Sequence, residues 1–269
     1  MSRRRRLDAE LVRRGLSPSR TQAQELIAAH RVTVDGAVAD KSARQVDPGD
    51  AIEVEGDGPR FVSRGGDKLA AALAHFEIDL EGLRVVDAGS STGGFTDCSL
   101  QHGAARVVAI DVGRNQLHER IRADARVDVH EQTNVRGLSA DDVGGPGAIV
   151  VADLSFISLR TVVDSLLGLT EEDGLLVLLV KPQFEAGKAE ADKGRGVIRD
   201  PEVWRRTLVE VCTALQDRGA AIMGVMVSPI TGGDGNVEFL VHAVRGERVA
   251  AGPLIEAAVA AAVDMAEQG

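Results

Sequence analysis

The 269-residue sequence has two cysteines, no tyrosine and no long apolar segment. Cys98 and Cys212 belong to no CxxC pair and have no histidine at ligand spacing, so the sequence indicates neither a disulfide framework nor a zinc site. No window approaches the roughly 18 uncharged apolar residues of a membrane span. No apolar core follows the first arginines, as a signal peptide would require. We therefore expect a cytoplasmic protein with no metal and no membrane partner.

Charge is distributed unevenly along the chain. The net charge is −10, yet residues 1–45 contain ten Lys and Arg against five Asp and Glu, which gives +5 there and −15 elsewhere. A basic head on an acidic body indicates that the head alone contacts a polyanion.

The head, residues 1–57, reads as a compact α+β domain. Leu7 and Leu11 mark one short helix, and Ser19, three residues before Gln22, forms a capping-box pattern that begins a second helix. The words "RVTVDG" and "VDPGDAIEVEG" predict small strands joined by turns.

These words, with Arg20 at the second helix start and "VDG" in the turn, resemble the alpha-L or S4-like RNA-binding motif. The resemblance implies that basic side chains of the head follow an RNA backbone, although an arginine-rich terminus can also be a solubilising tail. The candidate RNA-binding residues, two of them beyond the head, are Arg4, Arg6, Arg14, Arg20, Lys41, Arg64 and Lys188.

After a polar linker at residues 58–63, residues 64–269 predict a second domain. Apolar runs alternate there with helical patterns: "RVVDAG", "RVVAID", "VDVHEQ", "AIVVADLSF", "LLVLLVKPQF" and "AAIMGVMVSP". Continuous apolar strands are typical of a parallel sheet covered on both faces, hence of a doubly wound α/β fold. "NVEFLVHAV" follows after a loop too short for a helical crossover, so we expect the last of seven strands to be antiparallel.

The stretch "VVDAGSSTGGFTD" places a glycine turn between the first of these strands and a helix. It lacks the third glycine of a dinucleotide site and the lysine of a phosphate loop. A cofactor without phosphates fits better, and S-adenosylmethionine is the common one. The candidate cofactor-binding residues of the turn are Asp87, Gly89, Ser90, Ser91, Thr92, Gly93, Gly94 and Phe95.

Polar residues also end the next strands. Asp111, with Val112, follows the second strand, where a carboxylate can bind both ribose hydroxyls, and Asn134 follows the third, for the adenine edge. Asp153 follows the fourth strand. Acids that merely end strands in loops are the alternative. The pattern indicates a Rossmann-like class I methyltransferase fold.

Two lysines and two acids are expected on one rim of the sheet: Lys68, Asp153, Lys181 and Glu238. The amino-methylating Asn/Asp-Pro-Pro-aromatic word and a Pro-Cys nucleophile are both missing, so a ribose hydroxyl is the favoured acceptor. We assign Lys181 as base or hydroxyl-orienting residue, Lys68 and Glu238 as its support, and Asp153 to position Lys181 and the methyl group. A solvated surface lysine is the alternative at either position.

The full series "SRGGDKL", "DAGSSTGGFTD", "TNVRGL", "VADLSFISL", "LVKPQFE" and "GNVEF" resembles the TlyA family, in which an S4-like head precedes an FtsJ-like methyltransferase domain. The resemblance implies 2′-O-methylation of cytidine in 23S and, in the longer form, 16S ribosomal RNA, a modification linked to capreomycin sensitivity. Relatives often carry a tryptophan in the linker, where this chain has Phe61.

Two other functions stay open at this point: a pore-forming haemolysin, for which the alanine-rich carboxyl-terminal segment is the candidate helix, and a non-catalytic RNA-binding assembly factor. Aromatic residues make up 3% of the chain, so few rings can stack on unpaired bases. We therefore expect structured ribosomal RNA in 50S and 30S subunits as the partner, no DNA, and a monomeric enzyme. The charged stretch "FEAGKAEADKGRGVIRD" is either a loop that closes over RNA or a plain surface loop.

Overall fold

The computed structural model describes residues 4–17, 19–55, 60–187, 190, 194, 196–232, 234–247 and 249–268. They fall into two compact units that divide between Ser63 and Arg64. The predicted linker lies partly outside the described residues, as does most of the charged stretch that contains Lys188.

The amino-terminal unit combines two short helices with small antiparallel strands. Its elements are β1 (Arg5–Arg6), α1 (Leu7–Arg13), α2 (Arg20–Ala28), β2 (Val32–Val34), β3 (Ala37–Val38), β4 (Gln45–Val46) and β5 (Ile52–Val54). β2 lies between β3 and β5, and β1 pairs with β4.

Local sequence patterns predicted the start of α2 and the turn between β2 and β3. Ser19 Oγ accepts a hydrogen bond from the Gln22 amide at 3.2 Å, so the capping pattern begins α2 as predicted. Asp35 and Gly36 have φ values of 53° and 77°, the two positive values of a tight hairpin turn between β2 and β3. The core of the unit is apolar and contains Leu7, Leu11, Ala23, Ile27, Val32, Val34, Ala39, Val46 and Ile52.

The second unit alternates strands with helices. Its elements are α3 (Gly65–His75), β6 (Arg84–Ala88), α4 (Gly94–Gln101), β7 (Arg106–Ile110), α5 (Glu119–Arg122), β8 (Val127–His130), β9 (Gly147–Ala152), α6 (Val163–Gly168), β10 (Thr170–Val180), α7 (Pro182–Glu185), α8 (Pro201–Gln216), β11 (Ala220–Val227), β12 (Phe239–Arg245) and α9 (Gly252–Gln268).

Seven strands form one sheet in the order β11-β12-β10-β9-β6-β7-β8. The pairs from β10 to β8 are all parallel, whereas β12 is antiparallel to both of its neighbours, β10 and β11. The predicted seven-stranded, mostly parallel α/β fold with an antiparallel last strand is confirmed. After β8 the chain crosses to the other side of β6, so the direction of winding changes between β6 and β9, where open α/β sheets bind their ligands.

Helices cover both faces of the sheet. One face packs with α6, α8 and α9 in the main core cluster, to which α9 contributes Ile255, Ala258, Val259 and Ala262. α3 and α4 lie together on the other face. Within the described part of the chain, no helix is both long and apolar enough to cross a membrane.

Candidate active site

A cavity of about 590 Å³ opens at the carboxyl ends of β6, β7 and β9, at the switch point of the sheet. Loops that follow four different strands form its wall. The lining residues are Gly89, Ser91, Ile110, Asp111, Val112, Gly113, Gln116, Thr133, Asn134, Val135, Asp153, Leu154, Ser155, Phe156 and Ile157.

The turn from β6 to α4 needs its glycines. Gly89 has a φ of 89°, and a Cβ there would lie 2.5 Å from the Asp153 carbonyl oxygen, so the segments that follow β6 and β9 are too close here for a side chain. Gly93 has a φ of 95° and caps α4, with Leu117 packed against it. Both positions have backbone conformations that other residues rarely adopt.

Asp87 is fully buried at the end of β6, on the face covered by α4. The Thr96 hydroxyl donates to its Oδ2 at 2.6 Å, and Oδ1 has no hydrogen-bond partner among the described residues. Burial, offset in part by the Thr96 hydrogen bond, raises the pKa of Asp87 to about 7, and the charges of Asp153 and Asp111 add to the rise. The buried Asp87 carboxyl thus lies within the electrostatic reach of two acids that line the cavity.

Asp111 follows β7 and is held by the backbone. Its Oδ2 accepts a hydrogen bond from the Ser91 amide at 2.8 Å, and its Oδ1 accepts one from the Gly113 amide at 2.6 Å. Each oxygen has a second lone pair for a further donor, such as a hydroxyl. Val112 is 69% exposed beside it, and Asn134 on the opposite wall accepts from the Arg136 amide at 2.9 Å.

Six of the predicted cofactor residues line the cavity: Gly89, Ser91, Asp111, Val112, Asn134 and Asp153. Others lie behind its wall and shape the turn, as the Gly93 amide does by donating to the Ser90 carbonyl at 2.7 Å. These residues, which are not among those lining the cavity, are Asp87, Ser90, Thr92, Gly93, Gly94 and Phe95.

The two predicted lysines form separate ion pairs. Lys181 Nζ lies 2.5 Å from Asp153 Oδ1 and donates to Ser155 Oγ at 3.0 Å. Lys68 Nζ, on α3, lies 2.5 Å from Glu238 Oε2, and both of these side chains are buried. Each ammonium therefore has its own carboxylate partner.

The register between β10 and β12 brings the two ion pairs to the same end of the sheet. Val180 of β10 lies opposite Phe239 of β12, so Lys181 and Glu238 are the next residues out on adjacent strands. Cα atoms opposite each other in antiparallel strands are about 5 Å apart. The four residues that the sequence placed on one rim thus share one end of the sheet.

An exposed aromatic side chain stands beside Lys181. Phe156 is 91% exposed, has a positive φ of 64°, and lines the cavity. Its ring lies 5.2 Å from that of Phe184, and Lys181 Nζ lies 5.8 Å from the Phe184 ring centre. A phenylalanine that is both exposed and in a left-handed conformation is uncommon.

Sequence reasoning did not identify Ser155 or Phe156. Their signal was available in "DLSF", where a serine and an aromatic follow the fourth strand directly. The contact between Ser155 and Lys181 joins residues 26 apart, which no local pattern reveals.

In the amino-terminal unit, buried acids organise the predicted RNA-binding arginines. Asp8 accepts hydrogen bonds from Arg6 at 3.0 Å, from Arg20 at 2.9 Å and from Gln24 at 2.9 Å. The Arg6 guanidinium, helped by Gln24 and Arg20, holds the pKa of the Asp8 carboxyl well below its usual range. Arg6 and Arg20 stay largely exposed, so their outer faces remain accessible.

The other basic candidates differ in their surroundings. Arg14 donates to Glu10 and to the carbonyls of Asp50, Asp47 and Pro48, so it ties α1 to the loop before β5. Arg4 pairs with Asp47 at 3.0 Å. Lys41 is exposed, and Arg64 precedes α3 with partial exposure.

Comparison with known proteins agrees with this geometry. Residues 61–245 match the FtsJ-like methyltransferase model, and residues 5–52 match the S4 domain model. The 16S/23S rRNA (cytidine-2′-O)-methyltransferase TlyA of Mycobacterium tuberculosis is 50% identical over 240 residues, 89% of each chain. The chain belongs to the TlyA family.

Other TlyA relatives extend the comparison. The 23S rRNA (cytidine-2′-O)-methyltransferase TlyA of Campylobacter jejuni is 31% identical over 185 residues, 69% of this chain and 71% of that one. A solved structure from Streptococcus thermophilus, described as a candidate hemolysin, is 37% identical with a TM-score of 0.80 and covers 100% of this chain and 98% of that one. The predicted TlyA, FtsJ-like and S4 assignments are confirmed, and the chain is a methyltransferase of this family.

Proposed function

We propose that the protein uses S-adenosylmethionine to methylate the 2′-hydroxyl of cytidine in ribosomal RNA, in the 50S subunit and also in the 30S subunit. The observation that carries the proposal is the Lys181–Asp153 ion pair, whose carboxylate lines the same cavity as Asp111. Asp111 suits the cofactor, and the ion pair suits a hydroxyl acceptor.

The cavity fits S-adenosylmethionine in size and charge. Small-molecule sites range from about 300 to 1,000 Å³, and this cavity is about 590 Å³. Asp111 can accept from ribose hydroxyls on the lone pairs that the amides leave unused. Asp87, Asp111 and Asp153 together favour a ligand that carries positive charge, and Gly89 lets the backbone approach it closely.

When bound, S-adenosylmethionine supplies an electrophilic methyl group. Lys181 has three N–H donors, forms an ion pair with Asp153 and donates one N–H to Ser155, so another N–H can reach the 2′ oxygen. This hydrogen bond orients the oxygen and stabilises the negative charge that develops as the hydroxyl loses its proton. We assign Asp153 as the acceptor of that proton.

Lys68 and Glu238 act from the neighbouring strand end. Their buried pair places one ammonium and one carboxylate next to Lys181 in the β10–β12 register. We infer that Lys68 contacts the phosphate or ribose beside the target nucleotide, while Glu238 fixes the position of Lys68. Phe156 offers an exposed ring on which the target base can stack.

The amino-terminal unit supplies RNA affinity. Arg6 and Arg20, oriented by Asp8, present guanidinium groups that suit phosphate oxygens. Arg4, Lys41 and Arg64 are further candidates, and Lys188 lies outside the described residues. We propose both subunits as substrates because this chain is 50% identical to the relative named for 16S and 23S rRNA and 31% identical to the relative named for 23S rRNA alone.

The test is transfer of labelled methyl to purified 50S and 30S subunits that lack the modification. Wild type should label RNA in both, and the modified linkage should resist alkaline hydrolysis because the 2′ oxygen is blocked. Lys181→Ala should abolish labelling, because it removes the hydrogen bond that orients the 2′-hydroxyl and stabilises the negative charge developing on its oxygen. Arg218→Ala, which removes an exposed cation paired with Asp164, is the matched control and should keep wild-type activity.

Calorimetric measurement of S-adenosylmethionine binding shows whether a loss of labelling comes from lost cofactor binding or from lost methyl transfer. Label in RNA that persists in Lys181→Ala would contradict the assigned role of this lysine. Cofactor binding without label in either subunit would leave the family intact and overturn the proposed acceptor. Label in 50S alone would restrict the proposal to 23S RNA.

The haemolysin alternative lacks a specific observation in its favour. Its candidate segment, α9, has an apolar face that packs in the main core cluster with α8 and β11. An assembly factor without catalysis would have no need for two lysine–carboxylate pairs at the same end of the sheet, and the Lys181→Ala comparison tests it directly.

A further inference from the structure

Glu185 is a buried carboxylate that the proposed chemistry does not use. It ends α7, four residues after Lys181, and is 3% exposed. Burial raises the pKa of Glu185, and hydrogen bonds from Ser158 and Leu159 offset the rise in part. A buried carboxylate is costly unless its hydrogen bonds are made, so its partners show what it holds in place.

All of the partners of this carboxylate belong to one short segment. Oε2 accepts from Ser158 Oγ at 2.5 Å, and Oε1 accepts from the Leu159 amide at 2.7 Å. Arg160 Nε lies 3.4 Å from Oε2, and Arg160 Nη2 donates to the Glu185 carbonyl at 2.9 Å. Glu185 therefore fastens α7 to the far end of the loop that follows β9.

The near end of the same loop is held by Lys181, through Asp153 and Ser155. Phe156 lies between the two attachments, in a left-handed conformation with its ring exposed. Such a conformation is strained in a residue other than glycine and persists only where the surroundings enforce it. With Lys181 at one end and Glu185 at the other, the loop has little freedom to relax.

We propose that Glu185 is a positioning residue of the active site: it holds residues 158–160 so that Phe156 stays exposed beside Lys181 to receive the target base. The proposal rests on the proposed function, since it needs an RNA base at Phe156. Glu185 touches neither cofactor nor substrate and acts through the loop.

The experiment is a double-mutant cycle on kcat/KM for subunit methylation, at saturating cofactor, with Glu185→Gln and Phe156→Ala. Glu185→Gln keeps the volume but removes the charge and one acceptor. We expect it to lower kcat/KM by up to about tenfold, because misplacing the Phe156 ring cannot cost more than losing its stacking on the base. In the Phe156→Ala background the same substitution should change kcat/KM by less than about threefold, since the two act as a unit.

Two further variants keep the result interpretable. Glu210→Gln removes the other carboxylate partner of Arg160, at 2.7 Å, and leaves the Glu185 contacts in place, so it should retain wild-type activity. Ser158→Ala removes one contact from the loop side, and should lower kcat/KM in the same direction even if Glu185→Gln folds poorly. Circular dichroism of every variant checks the fold.

Equal losses from Glu185→Gln with and without the Phe156 ring would overturn the proposal, as would wild-type activity in both Glu185→Gln and Ser158→Ala. A wild-type protein that methylates neither subunit would instead refute the proposed function. The two failures are therefore distinguishable.

Discussion

The buried Asp87 carboxyl makes the stability of the second unit depend on pH. Its pKa is about 7 in the folded state against the ordinary 3.8. Between these values the folded protein holds a proton that the unfolded chain has released, so the free energy of unfolding falls as pH rises. The slope is about 1.4 kcal/mol per pH unit, and the total loss between pH 4 and 7 is about 4 kcal/mol.

Asp87→Asn removes the ionisable group and keeps an acceptor for Thr96. At pH 8 the Asp87→Asn protein should be more stable than wild type by up to about 4 kcal/mol, and near pH 4 the difference should vanish. Urea unfolding between pH 4 and 8.5, followed by the fluorescence of Trp204 in the same unit, measures this. Asp173→Asn, which removes an exposed carboxylate, controls for the change in net charge.

A bound cofactor extends the test. If S-adenosylmethionine places positive charge in the cavity, it favours the ionised form of Asp87, and the stability of wild type should fall less steeply with pH in its presence. An Asp87→Asn protein that follows the wild-type pH profile, or that is less stable than wild type at pH 8, would refute the reasoning from burial.

The remaining predictions concern the cavity and the RNA surface. Gly89→Ala should weaken S-adenosylmethionine binding by at least about tenfold in calorimetry, since a Cβ would lie 2.5 Å from the Asp153 carbonyl at a φ of 89°; unchanged affinity would contradict the close approach. Phe156→Ala should lower kcat/KM on subunits by about tenfold while Phe156→Trp retains activity, because stacking on a base contributes about 1–3 kcal/mol; equal loss in both would argue against stacking. Arg20→Ala should reduce the salt dependence of RNA binding by about one unit of log K against log salt, as loss of one phosphate contact does. Arg14→Ala, measured beside it, should lower stability instead, because Arg14 binds three backbone carbonyls.

The structure reassigns emphasis among the residues that the sequence singled out. Ser90, Gly93 and Phe95 do not line the cavity, because they are buried in the turn and at the start of α4. Arg14 was grouped with the RNA-binding arginines, yet its guanidinium is turned toward its own domain. Their individual roles stay predictions until the variants are measured.

The features that the sequence by itself determined depend on interactions between residues that are close in the chain. Ser19 caps α2, Asp35-Gly36 turns the hairpin, Gly89 and Gly93 shape the β6–α4 turn, and a short loop after β11 makes β12 antiparallel. Each depends on hydrogen bonds and dihedral angles of residues close in the chain, so composition and spacing were sufficient. The alignment of acids at strand ends followed from the same reasoning, because parallel strands end on one edge.

Only the tertiary structure decided which charges meet. Lys68 pairs with Glu238 across 170 residues, and Lys181 pairs with Asp153 and Ser155, because the register of the sheet sets these distances. The protonation of Asp87 depends on complete burial beneath α4, and the exposed conformation of Phe156 depends on a loop held at both ends. Such properties arise from the packing of distant segments in a medium of low dielectric, and no local pattern in the sequence encodes them.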